Sequence, residues 1–518
     1  MLRKIACFVV TAGVLAGCAP KVDTVPVARP TATVVTPPKK VEVAAEPEIK
    51  AEELVAIETL TSNRVVLADK PGELVVRLHL RAKARRGARR PPINLALVVD
   101  TSGSMEGAAI EDARTASLKL LDSLSEGDRL SLIVFHSAAE VLVPSTKLTK
   151  ETIAQIREKI GTMKASGTTD LAGGLAAGLA QARNGFQADG INRVVLLGDG
   201  IPNDPASLPG QALSAAQMRI PITALGLGLE QDETLMSKIA LSSGGKYHFI
   251  QESAQVAKVF ADEVLRLKDV TGRATVVALK PGPGVVVKEV IGLPFQRVGQ
   301  GAQLVLGDMS EDDERDLLVR LEVPARRAGS VVELLDADVS VDHPKKPGTR
   351  LSERAFVSVK STADAAAIDG GRDRDVEHAV ARLSVADAIV RAVAAARTGD
   401  VKLGRAILDR AEKEAKSAAK AFDDEGLAEK AKTIAALKKS LASMAPPPAP
   451  LAPPVRPVPP AKHSMEPDAQ QPDPSRHPVP GADSPTSSPA PVAPRPAGPT
   501  PAIVMKSQAD AMSTIQGN

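Results

Sequence analysis

The 518 residues read as an α/β protein: a doubly wound, mostly parallel sheet inserted in a split antiparallel β domain, with a C-terminal helical unit and disordered tails. Three observations point there. Between residues 93 and 268, short apolar runs alternate with helical periodicities, the pattern of strands covered by helices on both faces. From 269 to 362 only strand-like runs follow, separated by turn residues. Residues 375–444 turn helical again, and about half of the chain's 41 Pro lie beyond them. A hydrophobic fraction of 43% is enough for sizeable cores.

The N-terminus, MLRKIACFVVTAGVLAGCAP, has a basic start at Arg3 and Lys4 and a short apolar run over 5–16. That is a secretory signal pattern over residues 1–17, too short for a permanent membrane span. Its end, Leu15-Ala16-Gly17-Cys18, resembles the lipobox of bacterial lipoproteins. The resemblance implies cleavage before Cys18 and lipid on that residue, where several acyl chains would anchor the protein stably. Ala19, not Asp, follows the Cys, which resembles an outer-membrane sorting signal if the source is Gram-negative. The expected location is thus the bacterial cell envelope, lipid-anchored. Cys7 would leave with the signal, so neither of the two cysteines offers a thiol for catalysis, a disulfide framework or a Cys-rich zinc site.

Residues 18–50, rich in Pro, Val, Thr and Lys, read as a disordered tether. Residues 51–92 hold the first strands of the β domain. Leu74, Val76, Leu78 and Leu80 share one face of a run over 73–80, and Val75, Arg77 and His79 share the other. The six basic residues between 81 and 90 read as a solvated loop. INLALVVD then opens the α/β domain, 93–268, as a strand buried on both faces. A helix over 108–124 follows, then RLSLIVFH and AEVLVP as a hairpin and a short helix over 149–160. An Ala/Gly-rich helix over 171–183 leads into the strands NRVVLLGDG and PITALGLG, with no helix read between these two. A helix over 233–241, the strand GKYHFI and a helix over 254–267 complete the domain. Residues 269–362 read as a β-sandwich-like domain joined by the strands of 51–92, residues 375–444 as three Ala- and Lys-rich helices, and 445–518 as a Pro-rich disordered tail.

The chemistry concentrates at Asp100-Thr101-Ser102-Gly103-Ser104, directly after the first buried strand. Loops at the carboxyl ends of parallel strands are the usual ligand crevices of open α/β sheets. An Asp and two hydroxyls at alternate positions there are oxygen-only donors, suited to a hard cation such as Mg²⁺. Two more pieces share the character. Ser166-Gly167-Thr168-Thr169-Asp170 precedes a helix, and Leu196-Leu197-Gly198-Asp199-Gly200 brings a second Asp to a strand end.

With these three segments in order, residues 93–267 resemble a von Willebrand factor type A (VWA) domain, a Rossmann-like fold, carrying a metal-ion-dependent adhesion site. DTSGSM matches the first motif of that family, the Thr-Asp pair selects Thr169 over Thr168 for the second, and Asp199 matches the third. GGKYHFI is similar to the closing strand, and LGDMSEDDERDLLVRLEVP is similar to strands that follow this domain in bacterial secreted proteins. The resemblance implies that Ser102 and Ser104 bind Mg²⁺ directly, Asp100 and Asp199 largely through water, and Thr169 directly in one conformation, with Mn²⁺ or Ca²⁺ as alternatives. It implies a protein ligand that offers an Asp or Glu carboxylate to the ion.

Other classes lose support. A net charge of +3, no Trp and a single Tyr argue against nucleic acid. The seven His show no HExxH spacing, and the G-x-S-x-G elbow is absent, so neither a zinc hydrolase nor a serine hydrolase is indicated. His136 and His248 read as structural, and the acidic run 310–316 as a turn between strands. The expectation is a binding module and not an enzyme. Its rivals are a scaffold of an envelope complex acting without metal and, further off, a metal-dependent hydrolase.

Overall fold

A computed structural model describes residues 49–84, 90–199, 202–228, 232–343, 346–443 and 502–517. The signal peptide, Cys18 and nearly all of the tether lie outside the described residues. Strands β1 (Val55–Thr61), β2 (Val65–Leu67) and β3 (Gly72–Ala82) come first. In β3 the period-2 pattern decides the packing: Leu74, Val76, Leu78 and Leu80 all enter one apolar core.

The α/β domain follows with β4 (Ile93–Asp100), α1 (Ala108–Ser123), β5 (Arg129–Phe135), β6 (Ala139–Lys147), α2 (Lys150–Gly161) and α3 (Leu171–Asn184). It continues through β7 (Ile191–Gly198), α4 (Leu208–Gln217), β8 (Ile222–Leu227), α5 (Glu233–Ser243), β9 (Tyr247–Ile250) and α6 (Val256–Lys268). The sheet order is β6-β5-β4-β7-β8-β9, parallel throughout except for the β5–β6 hairpin. All eight residues of β4 are buried. Ala96 and Val98 pack with α3, α4 and α5, whereas Leu95, Leu97 and Val99 pack with α1, α2 and α6. One helix, α4, stands where no helix was read between two strands. Its sequence, LPGQALSAAQ, carries no charge and little contrast between faces. The crossover joining parallel neighbours β7 and β8 supplies what the local pattern lacks.

Seven strands then follow: β10 (Val270–Pro281), β11 (Val286–Val290), β12 (Gln296–Val298), β13 (Gly301–Ser310), β14 (Glu314–Val323), β15 (Val331–Asp342) and β16 (Arg350–Thr362). With the N-terminal strands they form two sheets, β1-β3-β14-β11 and β12-β13-β10-β15-β16-β2. β3 pairs antiparallel with β14 from Gly72 to Arg81, and β2 runs parallel to β16. The α/β domain is therefore inserted into a split sandwich.

Helices close the chain: α7 (Ala365–Gly370), α8 (Arg374–Arg397), α9 (Val401–Phe422), α10 (Glu425–Ser443) and α11 (Ala502–Gln516). Asp373 and Asp400 accept backbone N–H bonds at the starts of α8 and α9, and Asp424 does so for α10. Helices α8–α11 share an apolar cluster with α3, α4 and α5, so the helical unit packs against the α/β domain. Of the expected disordered tail over 445–518, residues 445–501 lie outside the described residues, and the expectation is corrected at 502–516, which are helical. Val504, Met505, Ala511, Met512 and Ile515 recur at helical spacing and are buried. This short signal is diluted by the Pro-rich composition before it, and it becomes decisive only because other helices offer a surface to bury it.

Candidate metal site

Strand β4 ends on Asp100, which is buried. Its Oδ1 accepts the Ser102 N–H at 2.8 Å and so folds the next residues back over the strand end. That turn brings the Ser102 and Ser104 hydroxyl oxygens to 2.9 Å from each other. The Ser104 hydroxyl donates to Asp199 Oδ1 at 2.8 Å. Asp199 directly follows β7, the sheet neighbour of β4, so parallel pairing alone brings the two Asp positions to the same edge.

The second loop is tied to the first through backbone. Ser166 N–H donates to the Thr101 carbonyl at 2.8 Å, and Gly103 N–H donates to the Gly167 carbonyl at 3.1 Å. Thr169 is buried on this loop, next to Asp170. Asp170 accepts the Gly173 N–H at 2.9 Å and caps α3. The hydrogen-bonded chain thus runs through Asp100, Ser102, Ser104 and Asp199, and Thr169 stands on the loop fastened beside it.

Two supports escaped the sequence reading. Ser137 Oγ accepts the Thr168 N–H at 3.1 Å. Asn203 donates its backbone N–H to the Thr169 carbonyl at 3.1 Å and its amide Nδ2 to Thr168 Oγ1 at 3.1 Å. Both lie just beyond the carboxyl ends of buried strands, β5 and β7, and that position is the signal that could have singled them out. His136, beside Ser137, accepts the Ser137 N–H through Nδ1 at 2.7 Å, and His248 Nε2 lies 3.0 Å from Glu263 Oε1.

Among the described residues no group of three or more His, Cys, Asp or Glu could hold a metal ion. A site here has to draw on hydroxyls, and this one does. Its donors are all oxygen, two hydroxyls and two carboxylates within hydrogen-bonding reach of one another, with a third hydroxyl residue on the adjoining loop. That chemistry fits a hard divalent cation and not a soft one.

Comparison with known proteins agrees with this architecture. Residues 94–262 match the family model of the von Willebrand factor type A domain, so the doubly wound sheet is a domain of that class. Such domains generally mediate protein–protein interaction. The uncharacterized protein sll0103 of Synechocystis sp. is 29% identical over 290 residues, covering 53% of this chain and 68% of its own length. YfbK of Escherichia coli is 30% identical over 203 residues, covering 37% and 34%. The inter-alpha-trypsin inhibitor heavy chain H4 of Homo sapiens is 27% identical over 249 residues, covering 45% and 26%. The chain thus spans about two thirds of the first relative and about a third or less of the other two. Two solved structures share the fold: a von Willebrand factor type A protein from Catenulispora acidiphila and the ArnB paralog VWA2 from Sulfolobus acidocaldarius. The first has a TM-score of 0.59 at 18% identity, covering 75% of this chain and 89% of that one. The second has 0.52 at 15%, covering 75% and 98%. Both likenesses extend well beyond the α/β domain.

Proposed function

We propose that this chain is a lipid-anchored protein of the bacterial cell envelope whose VWA domain captures a protein partner through Mg²⁺ held by Asp100, Ser102, Ser104, Thr169 and Asp199. The observation that carries the reading is the hydrogen-bonded run from Asp100 through Ser102 and Ser104 to Asp199. When bound, the ion supplies a Lewis-acidic position for a partner's Asp or Glu carboxylate. Ser102, Ser104 and Thr169 would contribute hydroxyls without charge, which leaves much of the cation's charge for that carboxylate. The Asp100 contact to the Ser102 N–H holds the loop in shape. Ser104 is exposed, so the arrangement faces solvent on the side a partner would approach. Nothing in this donor set besides the two Asp could serve as a base, which favours binding over turnover.

The anchor rests on the Leu-Ala-Gly-Cys sequence ending at Cys18, and outer-membrane sorting on Ala19 and a Gram-negative source. Among the described residues no helix is long and apolar enough to cross a membrane. Metabolic labelling with a radioactive fatty acid tests the anchor: label should enter the wild-type chain and be absent from Cys18→Ser.

The site is tested by calorimetric unfolding of the mature chain in EDTA and then with Mg²⁺, Mn²⁺ or Ca²⁺. A ligand bound only by the folded state at about 100 times its Kd adds about 2.7 kcal/mol. The melting temperature should rise with Mg²⁺, and Asp100→Ala should abolish the rise. Equal curves with and without metal in the wild type would reject the reading and favour a metal-independent scaffold.

A further inference from the structure

Helix α11 follows α10 after residues 444–501, and it packs on the VWA domain, the helical unit and the sandwich. On the VWA domain, the Gln508 amide donates to Thr234 Oγ1 of α5 at 3.0 Å. The Gln516 side chain accepts the Tyr247 N–H and donates to the Tyr247 carbonyl, each at 3.2 Å, pairing with edge strand β9. On the helical unit, Lys430 Nζ donates to Thr514 Oγ1 at 2.8 Å. On the sandwich, a Cβ built at Gly292 would come within 3.0–3.3 Å of Ile515.

The seat has a defect at its centre. Neither carboxyl oxygen of Glu233, at the first position of α5, meets a hydrogen-bond donor, although the residue is wholly buried. Arg397, at the end of α8, bonds Asp232 Oδ1 at 3.1 Å and Met505 Sδ at 2.9 Å, but its Nε is buried without an acceptor. Gln508 Oε1 on α11 is likewise buried and unpaired. Three elements thus meet with polar atoms desolvated and unsatisfied, which weakens the contact by the cost of that desolvation.

We propose that residues 502–516 are a releasable latch, closed over α5 while Glu233 holds its proton and loosened when Glu233 ionises. The charged groups facing Glu233 are Arg397 from α8, Asp510 from α11 and Asp232 beside it in sequence, two anions against one cation. Burial pushes the Glu233 carboxyl up to about 8, Arg397 opposes this, and Asp232 and Asp510 add to it. Removing α11 takes away Asp510 and part of the burial, which returns the group toward its ordinary 4.5. The closed form therefore holds a proton that the open form gives up. Its stability is full at low pH, where Glu233 is protonated in both forms, and falls as pH rises toward 8.

The test uses the mature chain with a protease site inserted within residues 444–501. After cleavage, retention of the C-terminal fragment is measured by gel filtration from pH 5.5 to 8.5. The fragment should co-elute at pH 5.5 and bind on the order of a hundredfold more weakly at pH 8.5. Glu233→Gln, similar in shape and unable to ionise, should abolish the dependence on pH. Asp510→Asn should reduce it without abolishing it. Equal retention at both pH values in the wild type, or the full dependence persisting in Glu233→Gln, would overturn the proposal. So would a fragment that fails to bind at any pH. None of these readouts depends on metal.

Discussion

Gly167 shows how one residue shapes the candidate site. Its φ is +74°, in the left-handed region that L side chains rarely adopt, and a Cβ there would stand 2.4 Å from Ser137 Oγ. The same residue's carbonyl accepts the Gly103 N–H that ties the two motif loops together. Gly167→Ala should therefore cost about 1–3 kcal/mol in chemical denaturation. A loss below about 1 kcal/mol would mean that neither the Ser137 contact nor the left-handed backbone strains the variant. At this scale the sequence was most informative. Asp100, Ser102 and Ser104 are near neighbours in the chain, so their grouping needs only a strand end and a turn. Ser137 and Asn203 were not legible, because their contacts to Thr168 and Thr169 depend on which strand ends lie side by side.

Among the elements, legibility followed pattern strength. β4 and β7 are eight-residue, fully buried strands and were plain in the sequence. α4 was not, since small apolar residues such as those of LPGQALSAAQ suit a buried helix or a loop equally well. Gly210 lies within α4, is exposed, and a Cβ there would meet nothing within 4 Å. Gly210→Ala should raise stability by roughly 0.5–1 kcal/mol in the same denaturation assay, because Gly weakens a helix interior. No gain would indicate that this turn frays in solution. The arrangement of β3 carries a related lesson. Its polar face is not left to water: Arg77 donates to both Asp316 oxygens at 2.8 Å, and His79 Nδ1 lies 2.9 Å from Asp316 Oδ1.

Across the whole molecule, ionic groups join the VWA domain to the sandwich that encloses it. Arg193 of β7 pairs with Asp308 of β13 at 2.8 Å, both nearly inaccessible to solvent. Arg193 also donates to Thr223 Oγ1 at 3.1 Å, and Thr223 donates to Glu263 at 3.2 Å. Burial would raise the Glu263 carboxyl, but the hydrogen bond and charge of His248, with Arg193 and Lys246, hold it down at about 2. Asp313 receives both Arg266 and Lys246. Asp308→Ala would strand the Arg193 charge and also remove the acceptor of the Ala274 N–H. The expected loss is about 3–5 kcal/mol, read as a lower unfolding midpoint. A loss below 1 kcal/mol would show that water reaches Arg193.

The sequence by itself indicated most of the order of strands and helices, the insertion of one domain in another and the five residues of the candidate site, Asp100, Ser102, Ser104, Thr169 and Asp199. Each strand, helix and motif among these is signalled by residues close together in the chain, through periodicity, turn chemistry or position at a strand end. Tertiary structure alone decided α4, the supports at Ser137 and Asn203, the ionic joint at Arg193 and Asp308, and the seating of α11. Those features depend on partners far apart in sequence, Gln508 on Thr234 or Gln516 on Tyr247. Burial and hydrogen bonding act only after the chain has brought such partners together.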